Sequence, residues 1–561
     1  MSNDPKISSG EDLTKVNKLF QLDGQGLKIL VESSMAWIKT NQQMINALNV
    51  FPVPDGDTGT NMLLTMQAAY NEVAASNEQN IGKMAHGIAQ GALMGARGNS
   101  GVILSQIWRG FARALDNLDV MDAALLVRAL DESRLTAYKG VVRPVEGTIL
   151  TVSKDIATAA QEALLETNDI LVILEKIVDA ADKSVKRTPD LLPILKQAGV
   201  VDSGGKGLFF LFEGMLRYLK GLSLEIATSS VQSLASMNLA EAMEGVEEGQ
   251  DYEVVVDFRP FENLDLEKFY ADLSEIGTSI QVGEGEGMYR MHIHVPTENR
   301  YAPIDYTMGI GTITKVAMEN LIDQMESEGK KSDAKLTLAP VEPGQIAVIT
   351  VSPGNGISKI FASLGVAAVV SGGQTMNPST EEIVKSFEDL PTDQIIILPN
   401  NKNIILAAQT AASVSVKKVA VIPTINVPQG LSAMLRLIPD GDFDQIVKEM
   451  NEATTEVETG EITIATRTVE INGINVQEGE VIALYNGKLV HSSHSLEEAC
   501  LGLLEKANTA DRERITIFYG DNIAKQDVTK IVEKIQAVYP SHEFEVHEGG
   551  QPHYQFIIAI E

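Results

Sequence analysis

The sequence predicts a multidomain chain: an all-α part at the N-terminus, a small α/β unit in the middle, and a C-terminal α/β part with a largely parallel sheet. Three observations carry this. Apolar residues recur at helical spacing through residues 25–222. The period changes at Tyr252, where Val254-Val-Val-Asp-Phe258 reads as a strand. From Ile346, strands and helices alternate, which is the pattern of a parallel sheet with helices on its faces.

In chain order, residues 1–24 are polar and predict a flexible leader. Residues 25–222 hold four glycine-bearing turns, each leading into an apolar helix. The first is Asn49-Val-Phe-Pro-Val-Pro-Asp-Gly-Asp-Thr-Gly-Thr-Asn-Met62, with Met62, Met66, Ala69 and Val73 on one helical face. Gly95-Ala-Arg-Gly-Asn-Ser-Gly101 precedes a face of Ile103, Ile107, Phe111 and Ala114. Glu146-Gly147-Thr148 opens a run at Ile149, and Asp202-Ser-Gly-Gly-Lys-Gly207 opens one with Leu208, Leu211, Met215 and Leu219. Residues 223–250 are small and acidic and read as a linker.

The middle unit, 251–335, adds a helix at Leu264–Ile276 and an alternating strand at Tyr289–Val295. Lys330–Val341 reads as a second connector. The C-terminal part, 340–561, starts with strands at Ile346–Val351, Ala367–Val370, Ile395–Leu398 and Val419–Ile422, with helices between them. A second half, dividing near 440, mixes two helices with strands at Glu461–Ile471, Val481–Tyr485, Ile515–Tyr519 and Gln555–Ile560.

The first turn carries the chemistry. Asp55 and Asp57 sit so close that their charges repel unless a cation lies between them, and hard divalent cations prefer oxygen ligands. A helix N-terminus beside them offers free N–H groups to phosphate. Glycine lets backbone N–H groups turn inward and a ligand approach. Such equipment suits phosphoryl transfer. The plain alternative is an acidic turn that caps its helix, with three more ordinary caps behind it. Spacing alone does not bring the four helix ends together.

Composition narrows the classes. The 561 residues carry a net charge of −31, which disfavours nucleic acid and anionic membrane surfaces, and no basic patch offsets it. The short cluster Lys183–Arg187 reads as a helix end. No apolar run is long enough to cross a bilayer, and the first residues lack the form of a signal peptide. The single cysteine, Cys500, excludes an internal disulfide. A cytoplasmic location is the expectation.

Residues 25–220 resemble the nucleotide-binding domain of the dihydroxyacetone (glycerone) kinase family, called DhaL or DAK2. The resemblance rests on Pro54-Asp-Gly-Asp-Thr-Gly-Thr-Asn-Met62, Gly98-Asn-Ser-Gly101 and Gly147-Thr148. The whole chain resembles the catalytic subunits of bacterial fatty acid kinases. Further strings carry that likeness: Ala198-Gly-Val-Val-Asp-Ser-Gly-Gly205, Gly372-Gly-Gln-Thr-Met-Asn-Pro-Ser379, Leu398-Pro-Asn-Asn-Lys-Asn403 and Gly549-Gly-Gln-Pro552.

The resemblance implies an antiparallel eight-helix barrel binding ATP and magnesium at one end. It implies that Asp55 and Asp57 hold magnesium. A third aspartate of the dihydroxyacetone kinases is matched here by Asn49, a weaker, uncharged ligand. Thr58 and Asn61 are implied near the phosphates, and Ser100, Gly101, Thr148 and Asp202 near the nucleotide. It also implies a fatty-acid-binding carrier of the DegV type as partner, and a place in phospholipid metabolism. A homodimer is consistent with it.

In the middle unit, Met291-His-Ile-His-Val295 puts His292 and His294 on one strand face, and paired imidazoles suit zinc. The resemblance implies zinc here with a cysteine on the neighbouring strand. This chain has none there; Glu253 or Asp257 are the substitutes at hand, or the histidines are a structural pair. In the C-terminal part, Ser352-Pro-Gly-Asn-Gly356 resembles an anion-binding turn but lacks the P-loop lysine, so ordinary chain reversal is the simpler reading. This turn, Gly372–Asn377 and Pro399–Asn403 fall at one sheet edge and suggest a recognition surface for a carrier or small ligand.

A fatty carboxylate acceptor is ionised at neutral pH, its pKa lying near ~4, and needs no general base. The helical part offers no obvious one, His86 being its only histidine. The expected function is therefore an ATP- and magnesium-dependent kinase that converts a carrier-presented fatty acid to acyl phosphate. A dihydroxyacetone-type kinase acting on a hydroxyl, and a non-catalytic ATP-binding regulator, both stay open.

Overall fold

Among the described residues, eight long helices close into a ring around one apolar core in the N-terminal part of the computed structural model. The structure describes residues 18–49, 56–224, 232–233, 251–262, 264–285, 288–321, 336–466, 468–471, 473–507, 509 and 512–561. The ring helices are α1 (Gly24–Thr40), α3 (Thr58–Val73), α4 (Ile81–Met94), α5 (Gly98–Ala114), α6 (Ala123–Lys139), α7 (Ile149–Leu164), α8 (Ile170–Leu191) and α10 (Ser203–Leu219). Two short helices, α2 (Gln42–Leu48) and α9 (Pro193–Ala198), lie between them in sequence. This is the all-α barrel that the resemblance implies.

The apolar stripes face inward as their periodicity requires. Met62, Met66, Ala69 and Val73 of α3 are all buried, as are Leu208, Leu211, Met215 and Leu219 of α10. Glycines let helices approach closely. A Cβ on Gly101 would lie 2.4 Å from the Thr65 hydroxyl, so α5 can cross α3 only without one.

Residues 18–24 do not belong to the flexible stretch expected over 1–24, of which residues 1–17 lie outside the described residues. Leu19 and Leu22 are buried, the Leu19 N–H donates to the Asp169 carboxylate at 2.9 Å, and Gln21–Leu22 (β1) pairs with Met121–Asp122 (β2). Two leucines spaced three apart are enough to anchor residues that read as polar. Most of the 223–250 linker lies outside the described residues; within it Gln232–Ser233 (β3) pairs with the middle sheet. The connector from Lys330 is described only from residue 336.

The middle unit has a five-stranded sheet, ordered β3, β5 (Thr278–Gly285), β6 (Met288–Val295), β4 (Tyr252–Pro260), β7 (Gly311–Asn320). Helix Leu266–Ser274 matches expectation, whereas β5 and β7 carry no clear signal in the sequence. Residues 336–561 belong to the same compact unit as the helical ring, and the middle unit stands as a second one.

The C-terminal part holds two larger sheets. The first is fully parallel, ordered β11 (Lys418–Val421), β10 (Gln394–Leu398), β8 (Ile346–Ser352), β9 (Ala368–Ser371). The second has six strands, mostly antiparallel: β16 (Lys488–Ser493), β15 (Val481–Tyr485), β12 (Glu458–Ile464), β19 (Tyr554–Ile560), β17 (Arg514–Tyr519), β18 (Glu543–Glu548). The strand expected over Glu461–Ile471 is two: β12 ends at Ile464, and Val469–Ile471 (β13) forms a hairpin with Ile474–Val476 (β14).

The parallel sheet does not stand apart from the helical ring. Ala96 and Val102, at the start of α5, share one apolar cluster with Ile349, Ile397, Ile404 and Ala407. The Thr380 N–H donates to the Ala96 carbonyl at 3.1 Å, and Arg97 makes an antiparallel bridge to Ser379. The end of the ring that carries the glycine turns is therefore built against the C-terminal part.

Candidate active site

The N-termini of α3, α5, α7 and α10 meet. Ser203 at the start of α10 donates its hydroxyl to Thr58 Oγ1 at the start of α3, at 3.1 Å. The Asp202 carboxylate accepts the Gly205 N–H at 2.6 Å and the Ile149 N–H at the start of α7. A Cβ on Gly98, at the start of α5, would sit 2.6 Å from Asn61 Nδ2 of α3, and Gly98 has φ +57°. Four helix ends thus aim their partial positive charge into one place.

Asp57 lies at this meeting point and is 4% exposed. It occupies the N-cap position of α3 yet does not cap it. Asn46 of α2 does so instead: its Oδ1 accepts the Gly59 N–H at 2.7 Å and the Thr60 N–H at 3.2 Å, while its Nδ2 donates to Thr60 Oγ1 at 3.1 Å. The Asp57 carboxylate is turned elsewhere. Asn49 Nδ2 donates to it at 3.1 Å and Asn61 Nδ2 at 2.9 Å, and Asn377 Nδ2 reaches it from the C-terminal part. The plain reading, an acidic turn capping its own helix, fails for Asp57. Asp55 lies outside the described residues.

The remaining predicted residues divide. Thr58 and Asn61 are buried beside Asp57. Ser100 is in the first turn of α5, where no protein acceptor among the described residues meets the N–H groups of Gly98, Asn99 and Ser100. Such N–H groups at a helix start form an anion cradle. The Gly101 N–H is used, donating to the Arg97 carbonyl at 3.1 Å, and its missing side chain serves the packing on Thr65. Thr148 caps α7: its Oγ1 accepts the Leu150 N–H at 3.3 Å and donates to the Val145 carbonyl at 2.8 Å. Asp202 caps α10, and burial pushes its carboxyl up to about 6, against the pull of the two backbone N–H groups.

The two cations of these turns are engaged by other groups of the chain. Arg97 donates to the Asn377 carbonyl at 2.9 Å and pairs with Glu382 at 3.1 Å. The Lys206 ammonium lies over the rings of Phe209 and Phe210, at 4.1 and 4.7 Å. His86 pairs with Asp116, beyond the C-terminal end of α5 and so about 25 Å along that helix from its glycine turn. Lys183, Lys186 and Arg187 are paired with Asp179, Asp182 and Asp155, so the basic cluster is neutralised within the helical part.

The C-terminal loops find partners inside the chain. Gly549 accepts from the Gly356 and Ile357 N–H groups at 3.0 and 3.1 Å, which fills the anion position of the Ser352–Gly356 turn. Asn400, at φ +54°, donates to Thr350 Oγ1 and the Val351 carbonyl and accepts from Thr424, tying β8 to the loop after β10. Asn99 donates to Asn403 Oδ1 at 3.4 Å. Two of the three loops expected to form a recognition surface thus face the helical part.

In the middle unit, Glu253, His292 and His294 form a buried trio whose ligand atoms lie within 4.8 Å of one another. His292 Nε2 is 3.2 Å from Glu253 Oε1 but without hydrogen-bond geometry, and both His292 ring nitrogens lack a hydrogen-bond partner among the described residues. Buried polar atoms left so are expected to meet something else, and a cation fits this donor set. Asp257 is excluded as a ligand: it holds Arg290 through two bonds of 2.6 and 2.7 Å. Cys500 is buried in the second C-terminal sheet's core, its thiol pushed up to about 12.

The fold and this site define a protein built on a DAK2 domain; residues 52–217 match that domain family. Residues 249–328 match the middle domain, and residues 347–561 the C-terminal domain, of the FakA-like fatty acid kinase family. An uncharacterized protein of Staphylococcus epidermidis, SERP0792, is 38% identical over 537 residues, covering 93% of this chain and 96% of its own. SAUSA300_1119 of Staphylococcus aureus is 38% identical over 531 residues, with the same coverage of 93% and 96%. The chain belongs to the FakA-like fatty acid kinase family.

Among solved structures, it is similar to a DegV family protein, Cg2579, of Corynebacterium glutamicum at 17% identity and TM-score 0.31, covering 39% of this chain and 96% of that one. The dihydroxyacetone kinase of C. freundii with AMP-PNP and magnesium is similar at 18% identity and TM-score 0.27, covering 39% and 38%. Among the described residues, no helix is long and apolar enough to cross a membrane.

Proposed function

We propose that this chain is the ATP- and magnesium-dependent catalytic component of a fatty acid kinase, which phosphorylates the carboxylate of a fatty acid presented by a separate DegV-like carrier protein. The observation that carries the reading is the convergence of four helix N-termini on the buried Asp57. Family membership supports the substrate class.

The donor set fits magnesium. Asp57, Asn49, Asn61, Thr58 and Ser203 offer only oxygen and amide groups, with no thiol or imidazole, and Asn377 Oδ1 is buried without a hydrogen-bond partner among the described residues. Asp57 and Asn49, with Asp55 by sequence, are the residues that would hold the ion. When bound, magnesium supplies charge neutralisation at the transferring phosphoryl group. The chain's own residues supply the rest. The N–H groups of Gly98, Asn99 and Ser100, which meet no acceptor among the described residues, would bind phosphate oxygens. Thr58 and Ser203 orient them by hydroxyl contacts.

The acceptor carboxylate oxygen attacks the γ-phosphorus; the bond to the bridging oxygen breaks and ADP leaves with that electron pair. No proton is transferred, which agrees with His86 lying at the far end of α5. The trio Glu253, His292 and His294 is the zinc site of this reading, structural in role.

The test is acyl phosphate formation from ATP, magnesium and oleate, with and without a fatty-acid-loaded DegV-like carrier. Product only with carrier is the expected result. Phosphorylation of dihydroxyacetone instead, or no product with any carrier, would overturn the acyl reading.

A further inference from the structure

We infer that Asn377, carried by the C-terminal part, is a working member of the phosphoryl-transfer site, its side-chain oxygen serving the cation held with Asp57, either directly or through one bound water. This deepens the function proposed above and rests on it.

Three observations converge. First, Asn377 reaches across 320 residues of sequence to donate its Nδ2 to the Asp57 carboxylate. Second, it is 2% exposed and its Oδ1 has no hydrogen-bond partner among the described residues. Most buried amides satisfy both their ends, because leaving a buried acceptor unmet costs about 1–3 kcal/mol; Gln551 and Gln555 share the unmet oxygen, but Asn377 alone of the three also touches Asp57. A planar amide that gives its nitrogen to Asp57 keeps its oxygen within about 2.3 Å of that nitrogen, so the oxygen stays beside the acidic centre. Third, the loop is clamped rather than draped. Arg97 holds the Asn377 carbonyl at 2.9 Å and Glu382 at 3.1 Å. Glu382 in turn accepts the Ser379 N–H at 2.6 Å in a capping box on helix Thr380–Glu388. Gly98 lies alongside: a Cβ there would collide with Asn61 Nδ2 at 2.6 Å and come into van der Waals contact with Asn377 Nδ2 at 3.5 Å.

The chain thus supplies an oxygen donor from a separate part of the polypeptide to a site where Asn49 provides only an uncharged ligand. Arg97 is the positioning residue that sets this donor in place. The site is complete only when the C-terminal part is seated on the start of α5.

The test uses full-length protein and titrates AMP-PNP calorimetrically, in magnesium and in chelator. Asn377→Ala should lose about tenfold or more of the magnesium-dependent gain in affinity, while affinity in chelator stays unchanged. Asn377→Asp, which keeps an oxygen ligand, should retain the gain, and magnesium alone should raise its Tm by more than in the wild type, since two abutting carboxylates then need a cation. Magnesium dependence within twofold of wild type in Asn377→Ala would overturn the inference. So would equal loss in both variants, or, should Asn377→Ala not fold, an Asn377→Asp Tm that responds to magnesium no more than wild type. A wild type with no magnesium-dependent nucleotide binding would bring down the proposed function itself, which is a different result.

Discussion

Asn46→Ala tests the claim that a neighbouring helix caps α3 so that Asp57 is released for chemistry. Asn46 Oδ1 accepts two N–H groups of the first turn, from Gly59 at 2.7 Å and Thr60 at 3.2 Å, and Gly59 is buried. Losing a cap costs about 0.5–2 kcal/mol, and a buried donor left unmet about 1–3 kcal/mol. These overlap, so the expected loss is about 2 kcal/mol. With urea m-values of about 1–3 kcal/mol/M, the unfolding midpoint should fall by about 1 M. The chain has two tryptophans, Trp37 and Trp108, both buried in the helical ring, so fluorescence reports unfolding of that part. The alternative response is that Asp57 swings round to cap α3. Stability would then fall less, but the carboxylate would leave the site and magnesium-dependent AMP-PNP affinity would drop. Asn46→Asp keeps the acceptor and should do neither. A variant Asn46→Ala unchanged in both urea midpoint and nucleotide affinity would refute the argument.

Asp57→Asn should reduce acyl phosphate formation by about 100-fold or more while leaving the fold intact, since Asn preserves the shape but not the charge; circular dichroism and turnover check this. Gly101→Ala should destabilise the helical part by about 1–3 kcal/mol, because its Cβ would meet Thr65 Oγ1 at 2.4 Å; urea unfolding read through tryptophan gives the value. Asp202 binds its proton more tightly folded (about 6) than unfolded (about 3.9), so it favours the folded state below that range and opposes it above. Wild type should therefore lose stability relative to Asp202→Asn, by of order 1 kcal/mol, as pH rises from about 4 through 6; a constant difference across that range would contradict the buried environment of Asp202. Metal analysis of purified protein should find zinc in the wild type and none after Glu253→Ala or His292→Ala; a metal-free wild type would make the trio a structural pair with a carboxylate.

Much of this architecture could be read locally. The helical periods of α3, α5 and α10 name where those helices start and most of the residues on their buried faces, because one apolar stripe must face one core. The strand at Tyr289–Val295 likewise put His292 and His294 on one face. What escaped were elements whose reason for being lies elsewhere in the chain. The edge strand β7 exists because β4 offers it a pairing partner. Leu19 and Leu22 read as leader because two leucines make no period. Asn46 carries no local mark, since the two N–H groups it caps belong to the next helix. Asn377 belongs to a recognisable family string, yet nothing near it says that it meets Asp57.

By itself, the sequence determined the kinds of element, the order of the parts, and the chemistry available: carboxylates and glycines at helix starts, paired imidazoles on a strand. Those follow from spacing, and spacing is local. Only the tertiary structure decided that the four helix ends converge, that Glu253 rather than Asp257 joins the histidines, and that a loop of the C-terminal part enters the acidic centre. Each of these joins residues far apart in sequence, and such contacts are chosen by the packing of whole faces, which no local pattern contains.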